Sequence, residues 1–550
     1  MARSRRKDPP TQELMPDEKT TPPEVRWRDL PNKGQLFILA LCRLSEPLSN
    51  VCLLPYIFYL VRSVMPASHS DHDDTARISE YSGVLVAAFP LAQCLVSLPW
   101  GRFSDEQGRR ISIIAGLLVS IIANIGFGLS RSFTGLLCWR IVAGLANGNV
   151  SIMRTVTAEI VRERRYQTKA FLLLPLVFNS GMVLSLALGG CLTEPVINIP
   201  KLFGPEGIFN WSRNPEGVAW ALRYPYALPA LLNALLLGNA LILAVLALSE
   251  TLPGREKQKD WGLQAGDALR KVGICRRNKG PRYTRMSNVE DASNLLDQDG
   301  RLASGQEQKR NSPAPTATEV SSTAGVPFRR VWTRKVISAL VSFGLLPLHN
   351  SAFMHIFPIY LSSPPADNSE ATLFAFRGGL GLRSATIGLW LSVFGVGGIL
   401  LQLFIYPRLQ RRIGTRGVFR LSLFLFPLTY LLAPYLSLLA GYGDERSAEA
   451  IARWVFLGLV VCAQIVARTM AIPSTVILLT EAAPERKVLG TVHGAGNMLA
   501  SLARAVGPAV GGYVFALGVE EGVIGLVWWF FLVGVALCAL AWSYLTEDGL

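Results

Sequence analysis

Gly101-Arg102-Phe103-Ser104-Asp105-Glu106-Gln107-Gly108-Arg109-Arg110 leads directly into Ile111 to Ser130, a run without a single charged side chain. In helical rise about 20 residues cover about 30 Å, the thickness of a bilayer's hydrocarbon core. A short basic segment abutting such a run marks a membrane helix meeting water, and the side that collects Lys and Arg is ordinarily the cytoplasmic one. Outward from this junction, the alternation of apolar run and polar link continues through most of the chain.

About twelve spans are predicted, at roughly 34–61, 81–101, 111–130, 133–154, 170–193 and 224–248, then 335–361, 384–406, 418–439, 453–478, 489–517 and 524–545. The expected fold is an all-α integral membrane protein of two six-helix bundles. Residues 1–32 form an N-terminal tail, 33–251 the first bundle and 334–545 the second, with 546–550 as a C-terminal tail. Residues 252–333, rich in Lys, Arg, Ser, Pro and Gln, have little apolar periodicity and are expected to be a largely disordered linker.

Composition agrees. Of 550 residues, 50% are hydrophobic and only 17% charged, against about 25% charged in soluble proteins. Mean hydropathy is +0.33. A soluble enzyme is excluded. The net charge of +15 would suit nucleic acid, but the basic residues gather in links on one side of the spans, with no aromatic-studded basic domain, so no nucleic-acid partner is expected. Six of the eight cysteines (Cys42, Cys52, Cys94, Cys138, Cys462 and Cys538) lie inside apolar runs, Cys191 ends one, and no CxxC pair occurs, which indicates neither a disulfide framework nor a zinc site. The first 30 residues lack an apolar core, so the first span is expected to serve as the insertion signal.

The basic residues also orient the chain. Arg102, Arg109 and Arg110, then Arg162, Arg164 and Arg165, then Arg408, Arg411, Arg412 and Arg416 share one side with the linker, whereas the links 62–80 and 362–383 carry few basic residues. Both termini are therefore expected in the cytoplasm. The sequon Asn210-Trp211-Ser212 then falls outside, which makes Asn210 a candidate glycosylation site. The plasma membrane is the first expectation and the vacuolar membrane the second.

The halves repeat each other. Pro47-Leu48-Ser49-Asn50 followed by Pro55 recurs as Pro347-Leu348-His349-Asn350 followed by Pro358. Gly181 before Gly189-Gly190 in the fifth span has a counterpart in Gly507-Pro508 before Gly511-Gly512 in the eleventh, and 407–417 weakly echoes 101–110. Two such halves describe a secondary transporter with its site between them.

On these residues the chain resembles the major facilitator superfamily across essentially every span. Gly101 to Arg110 is the strongest match. Its glycines allow a tight turn and close helix approach, and Asp105 with Arg109 and Arg110 can form a cytoplasmic charge cluster that latches one conformation. Arg140, in Trp139-Arg140 before Gly144 and Gly148, matches the family's fourth-span motif. In the fifth span Ser185-Leu186 replaces the Gly-Pro of the family's antiporter motif, which weakens that assignment. Leu248-Ser249-Glu250-Thr251-Leu252-Pro253 looks like the ending of the sixth span in drug-exporting members. Arg43 to Pro47, His349 to Phe353 and Leu489 to Gly494 resemble the branch of zinc-induced-facilitator-like proteins and fungal relatives. The resemblance implies a proton-driven transporter and does not name its cargo.

Glu46 is the one carboxylate placed deep in a span, sharing a helix face with Arg43 and Asn50. A buried carboxylate beside a cation can gain and lose a proton, so Glu46, Arg43 and Arg140 are the candidates for coupling, with a static Arg43–Glu46 pair as the plain alternative. Arg43, Arg140, Arg468 and Arg504 all fall within spans. Two of them facing a central cavity would favour anionic substrates, although Arg468 could instead snorkel. His493, Asn497 and Arg504 fall within about 40° around the eleventh helix, in line with Gly511, a stripe that lipid cannot satisfy. With Asn50, His349 and Asn350 they are the expected cavity residues. His349 and His355 do not share a helix face, and His69 to Asp74 reads as a solvated acidic link, so no metal site is assigned.

The expectation is a transporter that exports a small organic compound in exchange for protons, as a monomer in a lipid bilayer and without a cofactor. A zinc or metal-chelate transporter and a transporter-like nutrient sensor are the alternatives. No nucleotide-binding loop is present to drive an ATP-powered pump, and no Ser/His or paired-Asp arrangement lies in the spans for an intramembrane enzyme.

Overall fold

The computed structural model describes residues 30–66, 71–161, 163–211, 213–252, 261–271, 332–366, 368, 372–439, 448–484 and 489–545. Residues 1–29, residues 546–550 and most of the linker lie outside them, as do His69 and Ser212.

The first bundle comprises α1 (Lys33–Val64), α2 (Asp71–Gln107), α3 (Arg109–Leu129), α4 (Phe133–Ile160), α5 (Arg164–Leu192) and α6 (Ala227–Ala247). The second comprises α7 (Arg334–Ser362), α8 (384–413), α9 (415–439), α10 (Ala448–Ala482), α11 (Leu489–Glu520) and α12 (Val527–Leu545). Eleven described helices are long and apolar enough to cross a bilayer, but one of them, Ser384–Leu439, has 56 residues. As one helix it would measure about 84 Å, nearly three hydrocarbon cores. It breaks at Gly414, whose φ of 72° lies in the left-handed region, so it is two spans, and the expected twelve follow. A single bridge between Pro365 and Gly378 is the one β contact among the described residues.

The helices are amphipathic in the inside-out sense. Along the first part of α8, Leu389, Val393, Val396, Leu400 and Leu403 are exposed, at the three- and four-residue spacing of one helix face. Polar side chains point inward instead: Asn124, Arg140, Asn149, Asn233, Ser422 and Gln464 are all buried. Such a continuous apolar surface is stable against lipid rather than water.

Three expectations need correction. The stretch 101–110 is not a loop: α2 continues through Asp105 to Gln107, and only Gly108 (φ 114°) lies between it and α3. Gly101 sits inside α2 with no heavy atom within 4 Å of where its Cβ would be, so it supports neither turn nor close packing. Within the linker, Trp261–Lys271 form a helix that docks on the end of α6, where Gly262 lies against the Val245 carbonyl.

The bundles meet most closely at the face opposite the linker, here called the far face. A Cβ on Gly83 of α2 would stand 2.7 Å from the Pro508 carbonyl oxygen of α11, and one on Gly190 of α5 2.7 Å from the Gly388 Cα of α8. Around them, Ser79 Oγ donates to the Gly512 carbonyl (3.1 Å), His355 Nε2 and Ser82 Oγ are 3.1 Å apart, Thr193 and Ser384 share a hydroxyl hydrogen bond (2.8 Å), and Tyr59 Oη donates to the Leu382 carbonyl (2.6 Å). Small residues let the backbones touch and close this face. A Val at position 190 should therefore hold it apart. In a protein whose only cysteine is Cys52, 3% exposed in the closed arrangement, Gly190→Val is expected to admit a charged thiol reagent from the far face. Shielding equal to that of the parent would show that the Gly190–Gly388 contact is not what closes it.

Candidate functional site

The site is organised by a defect in α1. Helical geometry stops at Leu44, resumes at Ser45–Asn50, lapses again at Val51–Leu53 and returns through a short 3₁₀ turn, Leu54–Tyr56. Pro47 and Pro55 each remove an N–H from the ladder. In α7 the corresponding prolines lie further apart (347 and 358) and the helix stays continuous. Carbonyls freed in α1 cannot turn to water at this depth, so other spans supply donors. Asn233 of α6 donates to the Leu48 carbonyl (2.9 Å). Arg140 of α4 donates to the Ser49 carbonyl (2.7 Å), to Asn50 Oδ1 (2.9 Å) and to the Leu85 carbonyl (3.3 Å), and lies over the Phe89 ring. Arg140 is thus held by the backbone of α1 and α2. Its bonds do not run to Glu46, with which it was expected to act.

Glu46 is 3% exposed. Arg43 Nη1 reaches its Oε2 at 2.5 Å, and Arg504 Nη1 of α11 reaches its Oε1 at 3.3 Å. The two bundles are therefore joined by an ion pair in the membrane interior. Arg43 also lies over the Phe178 ring, and Arg504 Nη2 donates to Ser501 Oγ (3.0 Å). Arg154 of α4 interacts electrostatically with Arg43, Glu46 and Arg504. Sequence reading missed Arg154 because it falls at the predicted end of its span. The signal was present: it lies 14 residues after Arg140, close to four full turns, on nearly the same face.

The second bundle contributes less than expected. His349 is fully buried, its Nδ1 2.8 Å from Tyr430 Oη and its ring edge-on to Phe426. It lies in an aromatic core and not on an open cavity wall, which corrects its assignment. Asn350 Oδ1 accepts from Gln464 Nε2 at 3.4 Å. The α11 stripe divides by depth: His493 Nε2 pairs with Thr480 of α10 (3.1 Å), Asn497 is half-buried, and Arg504 hydrogen-bonds Glu46 of the first bundle. Arg468 does not snorkel; both its terminal nitrogens face the Met182 sulfur of α5, at 3.4 and 3.5 Å.

At the linker face, Arg109 pairs with Asp105 and Glu159 (3.4 Å for the latter) and donates to Ser104 Oγ (2.8 Å). Glu159 accepts from Thr251. Glu250 caps α3: its carboxylate accepts the backbone N–H of Arg109 (2.9 Å) and Arg110 (3.1 Å) and, from its own strand of chain, those of Thr251 and Leu252. A Cβ at Gly108 would stand 2.6 Å from this carboxylate, so glycine there serves both the turn and the cap. Arg110 donates to the Val245 carbonyl. The cluster joins α2, α3, α4 and the end of α6, all in one bundle. Glu159 and Glu250 were not among the expected members: α4 was expected to end at 154, and Glu250 was noted only in the ending of the sixth span.

Asn210 is 7% exposed, its Nδ2 donating to the carbonyls of Pro205 (2.7 Å) and Asn214 (2.8 Å). A glycan on that nitrogen requires this turn to be open, so the fold does not support the modification. Of the acidic link, Asp71 to Asp74 form the first turn of α2.

Glu250→Gln keeps the shape of the cap but removes a full charge from a helix N-terminus, where such a charge contributes about 0.3–2 kcal/mol. It is expected to lower the Tm of the purified protein measurably, and Asp105→Asn, half in solvent, to lower it less. Equal losses would show that the cap carries no special weight.

Residues 48–376 match the Major Facilitator Superfamily. A major facilitator superfamily multidrug transporter of Aspergillus fumigatus is 32% identical over 524 residues, covering 92% of this chain and 81% of that protein. The zinc induced facilitator-like 1 protein of Arabidopsis thaliana is 24% identical, covering 88% and 83%. Among solved structures, a crystal structure of a peptide transporter has a TM-score of 0.57 at 13% identity, covering 96% of this chain and 97% of that one. With a family match over more than half its length and twelve spans in two bundles, the chain belongs to the major facilitator superfamily of membrane transporters.

Proposed function

We propose that this transporter exports a small organic compound in a proton-coupled cycle, with Glu46 as the group that takes and releases the proton. The observation that carries the reading is the Glu46–Arg504 pair, in which a deeply buried carboxylate of one bundle holds a cation of the other at 3.3 Å. A proton on Glu46 removes half of this tie, so protonation and separation of the bundles are linked. Export is supported by the relative that bears the name multidrug transporter. With both termini in the cytoplasm, as the basic residues indicate, the closed far face is the outer one and the site opens inward. The plasma membrane is the first assignment.

Glu46→Gln keeps shape and hydrogen bonding but cannot cycle a proton. In vesicles it is expected to abolish transport driven by an imposed pH gradient while sparing substrate binding. Gradient dependence equal to that of the parent would make Glu46 a static partner of Arg43. A tag inserted between 272 and 331 should react only from the cytoplasm, and labelling from outside would reverse the orientation.

A further inference from the structure

Arg154 is costly to keep where it is. It sits in α4, whose Ile152, Met153 and Val156 pack into one core with Leu39 and Cys42 of α1. Its charge interacts with those of Arg43, Glu46 and Arg504. Among the described residues Arg154 forms neither a hydrogen bond nor an ion pair, and its side chain remains exposed. Arg504 is half satisfied: one terminal nitrogen holds Glu46, the other Ser501, its Nε has no partner, and 34% of the side chain is accessible.

The charge count is unbalanced. Three guanidinium groups interact with one carboxylate, leaving two positive charges without a counter-charge inside a membrane bundle. Arg140 shows what a structural arginine looks like in this fold: 2% exposed, with carbonyl and amide oxygens on its guanidinium. Arg154 has none of these. A cation that makes no bond in the empty protein, and that Arg43 and Arg504 repel, is placed for a group that arrives from outside.

We infer that Arg154 and the accessible part of Arg504 bind an anionic group of the substrate, so that the transported compounds are organic anions bearing a carboxylate, sulfonate or phosphate. This rests on the transport reading and supplies the substrate class it lacks. Two planar forks offer paired N–H donors that match the oxygens of such groups. Arg43 is already engaged by Glu46 at 2.5 Å and is left out of the anion site, so the substrate and the proton-bearing carboxylate occupy adjacent places. Glu46, Arg43, Arg504 and His493 are the titratable or charged groups that face Arg154 electrostatically. None but Glu46 supplies negative charge, which leaves the anion without a strong competitor.

The test compares two dyes on one xanthene scaffold, fluorescein as the anion and rhodamine 6G as the cation. Fluorescence polarisation follows their binding to the full-length protein in nanodiscs. Fluorescein is expected to bind at least about tenfold more tightly, the scale of a charge-assisted hydrogen bond. Arg154→Gln should remove that preference and, because it relieves repulsion and breaks no bond, should leave the Tm of the empty protein equal or higher. Arg154→Lys should retain part of the preference. Equal binding of the two dyes, tighter binding of rhodamine 6G, or an unchanged preference in Arg154→Gln overturns the inference, as does a lowered Tm. Nanodiscs of phosphatidylcholine alone and with phosphatidylserine separate a substrate anion from a lipid headgroup. Loss of fluorescein binding with the anionic lipid would assign Arg154 to the headgroup and sink the proposal. Because binding is read without a gradient, its result stands apart from the proton-coupling reading. Gradient-driven uptake of rhodamine 6G alone would overturn the anion class and leave the transporter reading in place.

Discussion

The constraint on which the rest depends is that an interrupted helix in hydrocarbon must have its freed carbonyls satisfied by protein. In α1 that burden falls on Arg140 and Asn233, which bind the carbonyls of Ser49 and Leu48. These bonds fix the short segment Ser45–Asn50 and with it the position of Glu46. Had α1 been continuous, Arg140 would lose the Ser49 carbonyl that helps to hold it. As it is, one arginine turns a backbone defect into a rigid mount for the carboxylate beside it.

From this mount the two ends of the molecule are held by different chemistry. On the far face, glycines bring backbones into contact, and hydroxyl and imidazole groups bridge α2 to α7 and α11, and α5 to α8. At the linker face, Arg109, Asp105, Glu159 and Glu250 tie four helices of one bundle into a rigid corner. Backbone contacts through small residues can part without leaving charges unpaired, whereas a charged corner keeps its bundle intact as it moves. Between the two lies the Glu46–Arg504 pair, the one ion pair among the described residues that joins bundle to bundle. Its strength depends on a single proton, which makes it the natural point for a gradient to act.

Much of this was legible in the amino-acid order, and the exceptions share a cause. Charge and periodicity located the spans, the basic side and the pairing of Asp105 with Arg109, because those signals act between residues close in sequence. The Arg43–Glu46 pair, one helical turn apart, belongs to the same class. Gly101 and His349 were misread for the opposite reason. A glycine's role depends on what approaches it, and nothing does. A histidine's role depends on whether its neighbours are water or aromatic rings, and Phe426 and Tyr430 lie 77 and 81 positions away. The α8–α9 boundary stood out in sequence as a cluster of arginines even though the helix runs on to Gly414, since charge reports the membrane surface and not the end of helical geometry.

The sequence by itself determined that the chain crosses a bilayer about twelve times, that it is built of two related halves, which side is basic, and which charged residues are forced into the membrane. These follow from transfer free energies and helix geometry, which act residue by residue. Only the tertiary structure decided what each buried charge does. Of the arginines in the spans, one mends a broken helix, one rests against a thioether, one pairs with Glu46 from its own helix and one reaches it from the other bundle. Arg154 has neither a hydrogen bond nor an ion pair among the described residues. The cost of a charge in hydrocarbon is fixed by its type, but its compensation is fixed by what long-range packing brings within about 4 Å, and no local pattern encodes that.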